Sequence, residues 1–185
     1  PDPIVPLKFE TNLSEMGVYN GSLSNLDPAE DVYLYELNSK LFSDYSYKQR
    51  LIRLPDGETM EYNGTSLLPD FPDNTLISKT FYYFLDENNP SLGKKIIETR
   101  ILIKTEGIWR VGNYKWNEVQ TEATYTNNSS QIEISYIKLD GMTQEVTYQV
   151  PSNDECIVCH NVYDEITPIG PKLRNMNFNP QSDDV

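Results

Sequence analysis

Imidazole and thiol groups are scarce in this sequence, because its 185 residues contain one histidine and two cysteines. All three lie in one stretch, Cys156 to His160, so no thiol or imidazole remains for a second metal site or catalytic pair. A structural zinc site needs four nitrogen or sulfur ligands. The chain offers at most three clustered ones, which argues against zinc.

Basic charge and long apolar runs are also lacking. Fifteen Lys and Arg against 28 Asp and Glu give a net charge of −13. This charge argues against nucleic acid and anionic membranes as partners and would attract a basic partner protein. No apolar run is long enough for a transmembrane segment. Because the chain begins with Pro1 rather than Met, we expect a leader to have been removed.

What the sequence does contain is the spacing of a c-type haem attachment motif. Cys156 and Cys159 can each add to a vinyl group of haem, and His160 follows directly as an axial ligand of the iron. One haem is the most that this set can anchor. Two alternatives stay open: a thioredoxin-like redox pair, and a disulfide between the two cysteines beside a solvated His160.

A second segment, ten residues after the motif, supports the haem interpretation. Gly170 and Pro171 begin a GPxL pattern that resembles the small class I cytochromes c. The resemblance implies that the Pro171 carbonyl accepts a hydrogen bond from the second ring nitrogen of His160. Such an acceptor fixes the tautomer and ring plane of an axial imidazole.

The remainder of the chain is predicted to be mainly β. Short runs rich in β-branched and aromatic residues are separated by Asn, Asp, Gly and Pro, as in antiparallel hairpins. We therefore expect an antiparallel β-sandwich or barrel-like domain followed by a short C-terminal helical cytochrome c haem-binding segment. The predicted divisions are an N-terminal arm (residues 1–30) over the surface, a β-domain (31–150) and the haem c-binding segment (151–185). The predicted strands cover residues 32–37, 49–54, 75–85, 95–104, 108–116, 119–126, 131–139 and 144–150.

Two groups inside the β-domain could be mistaken for catalytic clusters. The first is Glu98-Thr99-Arg100, and the second is Trp116-Asn117. Alternation along a strand favours charges on a wet face for the first group and a core tryptophan for the second. No catalytic residues are assigned.

The order of several motifs resembles a known family, the secreted bacterial cytochrome c proteins in which a β-rich domain precedes the haem motif. The resemblance spans roughly residues 13 to 178 and rests on the following segments: 35–38, 41–45, 79–81, 97–100, 107–109, 114–123, 150–152, 156–160 and 168–172. It implies one covalent haem c in a protein of the periplasm, the cell surface or the extracellular space. Many members continue into a second CxxCH domain, so a mono-haem member and a lost second half both stay open.

The sequence has no second histidine to serve as the sixth iron ligand. Met176 lies sixteen residues past His160 and is the first candidate. Met60 and Met142 are weaker ones, and an open site, a lysine, a tyrosine or a residue of another chain are further options. Arg174, Tyr45 and Trp116 are candidate contacts to the haem propionates or the haem edge.

These observations predict an electron-transfer protein in which the β-domain is a scaffold and docking surface. Its partner would be a redox protein, with other copies or other haem proteins in an assembly as a further option. The alternative is a haem enzyme or a gas or peroxide sensor with an open or displaceable sixth ligand. A third hypothesis is an interaction module in which haem contributes mainly stability.

Overall fold

The computed structural model describes residues 5–39, 42–62, 68–155, 161–162 and 165–176. Within them lie strands β1 (Tyr33–Leu34), β2 (Tyr47–Arg53), β3 (Leu76–Phe84), β4 (Lys94–Thr105), β5 (Ile108–Trp116), β6 (Ala123–Thr126), β7 (Ser130–Ile137), β8 (Thr143–Val150), β9 (Asn161–Val162) and β10 (Glu165–Ile166). Helical elements in the described residues are short: three 3₁₀ turns at Leu13–Met16, Leu23–Asn25 and Pro90–Leu92, a helical turn at 153–155, and the α-helix α1 at Leu173–Met176.

The strands pair with their neighbours in sequence. Strands β1 to β6 form a six-stranded antiparallel sheet in sequential order, and β7–β8 and β9–β10 form two separate hairpins. A β-bulge interrupts the β3–β4 pairing between Phe81 and Tyr82. The mainly β, antiparallel part of the expected fold is confirmed.

The predicted fold class as a whole is wrong, because it ended in a helical haem-binding segment. The described residues after β8 contain a helical turn at 153–155, the β9–β10 hairpin and the four-residue helix α1. Val162 and Ile166 are β-branched and favour a strand, whereas Pro168 and Pro171 prevent a helix from continuing through this region. Where the structure describes it, the segment therefore consists of a short hairpin, turns and single helical turns.

One face of the six-stranded sheet, which we call the arm face, carries Thr99, Ile101 and Ile103 of β4. The N-terminal arm covers this face and contributes wholly buried side chains such as Leu13 and Val18. The arm is therefore a layer of the largest apolar cluster and not only a surface feature. Burial of this kind stabilises by roughly 1.5–3 kcal/mol per large apolar side chain.

The opposite face, which we call the cleft face, carries Glu98, Arg100 and Leu102 of β4. The β7–β8 hairpin covers one end of it, where Tyr148 and Val150 pack with Phe81. A second apolar cluster built around Leu102 and Trp109 covers the other end. Charged side chains occupy the strip between these two clusters, and this strip positions the candidate site.

Candidate functional site

The strand register brings three cations side by side on the cleft face. Arg50 of β2 lies opposite Lys79 of β3, and Lys79 lies opposite Arg100 of β4. We call these three residues the cation row. The next row toward the second apolar cluster is Ile52, Ile77 and Leu102, and the next row toward the hairpin is Lys48, Phe81 and Glu98.

Two cations of the row, together with the neighbouring Lys48, lie around the ring of Phe81. The centroid of the Phe81 ring is 4.5 Å from Arg100 Cζ, 5.1 Å from Lys79 Nζ and 5.9 Å from Lys48 Nζ. These distances are within the range of cation–π attraction. Burial, followed by repulsion from Arg100, Arg50 and Lys48, lowers the pKa of Lys79 to about 8.

Carboxylates balance the two arginines at the ends of the row. Glu98 is wholly buried, and its Oε1 accepts hydrogen bonds from Arg100 Nη2 at 2.5 Å and from the Tyr148 hydroxyl at 2.6 Å. Glu36 Oε2 lies 3.7 Å from Arg50 Nη1. The interpretation of Glu98-Thr99-Arg100 as charges on a wet face is therefore wrong, because the hairpin covers this part of the sheet.

A cleft lies directly above the cation row. Its floor comprises all three cations with Lys48, Ile77, Leu102 and Val111, and its far wall is the C-terminal segment 168–171. Tyr35 and Leu37 close one side. The cleft therefore combines apolar walls with positive charge on one side.

The C-terminal segment is fixed at several points. The Asn38 amide donates to the Asn175 carbonyl at 2.8 Å, and Gly170 lies so close to Leu37 that an added Cβ would meet Leu37 Cδ1 at 3.2 Å. Ile166 of β10 packs against the second apolar cluster. These contacts hold Pro171, which is buried, at the wall of the cleft.

The chain that enters the motif is fixed on the same sheet. Asn113 Nδ2 donates to the Pro151 carbonyl at 3.2 Å, and Asn153 Nδ2 donates to the Tyr125 hydroxyl at 2.9 Å. Ser152 begins the helical turn as its N-cap, because its hydroxyl accepts from the Glu155 amide at 3.2 Å while Glu155 accepts from the Ser152 amide at 2.7 Å. Beyond the motif, β9 pairs with β10, which packs against β5.

The central residues of the sequence-derived site, Cys156, Cys159 and His160, lie outside the described residues. The side chain of Arg174 also lies outside them, although its backbone is part of α1. Among the residues that can be placed, Pro171 lines the cleft. The predicted roles of the motif and of Arg174 stay predictions.

The other candidates fall at different places. Met176 ends α1 and is half-buried, while Met60 packs at the margin of the second apolar cluster on the cleft face. Met142 is 61% exposed. Which of them, if any, ligates iron stays a prediction.

Two proposed haem contacts are separated from the cleft. Trp116 is buried in the arm-face cluster and donates from Nε1 to the Thr99 hydroxyl at 3.0 Å, so it is a core tryptophan and cannot reach the cleft. Tyr45 is 68% exposed and stacks edge-on with Phe42, with ring centroids 5.0 Å apart. It lies in a neighbouring depression that shares Lys48 and Arg50 with the cleft.

Sequence reasoning missed the cation row. The period-two spacing of Lys48 with Arg50, and of Lys79 with Phe81, placed each pair on one strand face. That these pairs meet Arg100 depends on the strand order and register, which the sequence left open.

Membrane-spanning helices and metal-binding clusters are both absent from the part of the chain that the structure describes. None of its helices is long and apolar enough to cross a membrane. No group of three or more His, Cys, Asp and Glu in that part could hold a metal ion. Comparisons with protein families, curated proteins and solved structures found no match to this chain.

Proposed function

We propose that this chain is an electron-transfer protein that carries one haem c, bonded to Cys156 and Cys159 and ligated by His160. The observation that supports the proposal most is the position of the residues flanking the motif. Pro151 and Asn153 on one side, and the β9–β10 hairpin on the other, are fixed to β5 and its neighbours beside the cleft. A haem bonded between these flanks would lie over the cleft.

The chemistry of the cleft residues matches such a group, and the cavity of about 80 Å³ has room for a propionate while the ring would lie over the opening. Haem is a flat apolar ring with two carboxylates on one edge, and the cleft offers Leu37, Leu102, Val111 and Ile169 as apolar wall beside the cation row. An apolar cleft with a few placed polar groups is the usual form of a cofactor site. The donor chemistry of the chain is therefore compatible with haem.

The residues around the haem would have distinct tasks. His160 would bind the iron from one side, and the Pro171 carbonyl would hold the second nitrogen of that imidazole, as in the cytochromes c that this chain resembles. The apolar wall would exclude water from the iron. The haem itself would supply the one-electron chemistry, with its potential set by the sixth ligand and the surrounding charge.

The proposal extends to partner and location. The net charge of −13 would attract a redox partner with a basic surface over a small, transient interface. Haem attachment to a CxxCH motif takes place outside the bacterial cytoplasm, which supports a periplasmic or cell-surface location. Membership in the secreted cytochrome c family with a preceding β-domain is part of the same proposal.

The test is an absorption spectrum of protein produced in a host that matures c-type cytochromes. We expect sharp α and β bands after reduction with dithionite and no change when CO is added. The His160→Ala variant serves as a control, because losing an axial ligand should convert the iron to a CO-binding form. A high-spin spectrum of the unchanged protein that shifts with CO would contradict electron transfer and favour a sensor or enzyme with an open sixth position.

A further inference from the structure

The cation row has a structural feature that the haem motif alone does not explain. Cross-strand neighbours have Cβ atoms about 4.5–5.5 Å apart, and like charges in such positions are destabilising. Here three cations occupy three successive strands in one row, in a protein that carries only 15 Lys and Arg. An arrangement of this kind needs compensating negative charge.

Among the described residues, two carboxylates lie at the ends of the row. Glu98 binds Arg100, and Glu36 approaches Arg50, as described above. Lys79, in the middle, has two cationic neighbours, and its Nζ lies 5.1 Å from the centroid of the Phe81 ring. Glu98 attracts it, but the repulsion from Arg100, Arg50 and Lys48 is the larger effect. The row therefore has a central cation whose charge is best balanced by a group that enters the cleft.

We infer that Arg50, Lys79 and Arg100 form a seat for a carboxylate, and that this carboxylate is a propionate of the haem. The identification as propionate rests on the proposed function. Guanidinium groups bind carboxylates through paired hydrogen bonds, and a lysine adds a point charge. The propionate edge of the haem then faces the cation row, and the seat sets which way round the haem lies.

Two observations favour a propionate over a free carboxylate from solution. The cation row shares one cleft with Pro171 and the segments next to the haem motif. The protein as a whole is strongly acidic, so a free anion is repelled before it reaches the cleft, whereas a propionate is brought there by the covalent attachment.

The experiment compares Lys79→Gln with Lys95→Gln in the haem-bearing protein. Both substitutions remove one positive charge from the same sheet, but Lys95 pairs with the exposed Glu118 at 2.9 Å, away from the cleft. Loss of a cation beside the haem favours the oxidised state. We expect Lys79→Gln to shift the ratio of oxidised to reduced protein at least tenfold, which lowers the midpoint potential by about 59 mV for one electron. Lys95→Gln should change it several times less.

Further readouts separate the possible failures. Intact mass reports covalent haem, so an attached haem with equal shifts in both variants overturns the seat while leaving the proposed function standing. Absence of covalent haem overturns both. Titration with succinate identifies the carboxylate: a potential that does not respond supports propionate, and a saturable response that Lys79→Gln abolishes assigns the seat to a free carboxylate instead.

Discussion

At the scale of single residues, the cleft face is distinguished by charged side chains, of which Arg50 and Glu98 are buried. Lys79 and Glu98 are both on interior strands and both depend on neighbours from other strands. Their contributions to stability are expected to have opposite sign. Glu98 accepts hydrogen bonds from two partners, which stabilises the fold. Lys79 has several cationic neighbours, and burial of its charge costs desolvation free energy.

Burial of Lys79 should lower the free energy of unfolding in a pH-dependent way. The haem-free variant that carries Cys156→Ser and Cys159→Ser is the protein in which to measure this. The pKa of Lys79 is about 8 in the folded chain, against 10.5 for an ordinary lysine. Between these pH values the unfolded chain binds the extra proton, so the free energy of unfolding contributed by this residue rises as pH increases. Below pH 8 the full cost is present.

Chemical denaturation from pH 7 to 10.5 measures this effect. In the haem-free background, Lys79→Met should raise the free energy of unfolding at pH 7 by roughly 1–2 kcal/mol and should flatten the rise with pH. Lys95→Met is the matched control, since Lys95 lies on the same sheet but is paired with Glu118. An unchanged pH profile in Lys79→Met would contradict the assignment.

Glu98 should be the most costly charge to remove. Glu98→Ala leaves Arg100 and the Tyr148 hydroxyl without their shared acceptor and is expected to cost about 3–5 kcal/mol. The comparison is Glu118→Ala, which breaks an exposed ion pair and should cost at most about 1 kcal/mol. Equal midpoints of urea unfolding in the two variants would show that the buried network contributes nothing.

At the scale of elements, the strands follow from the sequence and their partners do not. Alternating β-branched and aromatic residues predicted eight runs, and β1 to β8 each fall within or overlap one of them. Sequential order made an antiparallel meander the simplest topology. The pairing register, which creates the cation row, depends on turns and on the bulge in β4, and no local pattern reveals it.

The N-terminal arm shows why a polar segment is difficult to interpret. Its apolar residues are spaced irregularly between Pro, Ser and Asn, so no helix or strand period marks them as core. Yet Leu13, Val18 and Leu26 are buried against the sheet. Backbone carbonyls in turns, such as the Asp27 carbonyl that accepts from the Asn20 amide at 2.8 Å, replace regular pairing there.

Contact between this arm and β5 can be tested at Gly112. A Cβ at this position would lie 2.6 Å from Phe9 Cε1 and 2.8 Å from Tyr125 Cε2. Glycine in a strand often marks such a close approach. Gly112→Ala should therefore cost about 1–3 kcal/mol of unfolding free energy through overpacking. Combining it with Phe9→Ala should recover part of that loss, and a fully additive double variant would contradict direct contact.

At the scale of the whole molecule, charge is distributed unevenly. The chain has a net charge of −13, but four basic side chains meet in one cleft. The candidate haem motif was readable from the sequence because its residues are adjacent. The cleft was not, because Arg50, Lys79 and Arg100 come from three strands, lie 29 and 21 positions apart along the chain, and meet only after folding.

For the proposed electron transfer, the net charge of −13 predicts attraction to a basic partner. Electron exchange with a basic small protein such as a lysine-rich cytochrome should slow as ionic strength rises, because screening shortens the range of attraction. Stopped-flow kinetics between about 10 mM and 0.5 M salt measure this, with a neutral inorganic electron donor as control. A rate that rises with salt would contradict attraction by the net negative charge.

The most direct test of the central claim is the intact mass, under denaturing conditions, of the protein from a host that matures c-type cytochromes. If haem is bonded to Cys156 and Cys159, we expect a mass increased by one haem. We expect no increase in the variant that carries Cys156→Ser and Cys159→Ser. A protein of unmodified mass in which both thiols react with an alkylating reagent would contradict haem attachment. A mass lower by two hydrogen atoms, with unreactive cysteines, would identify the stretch as an oxidised disulfide instead.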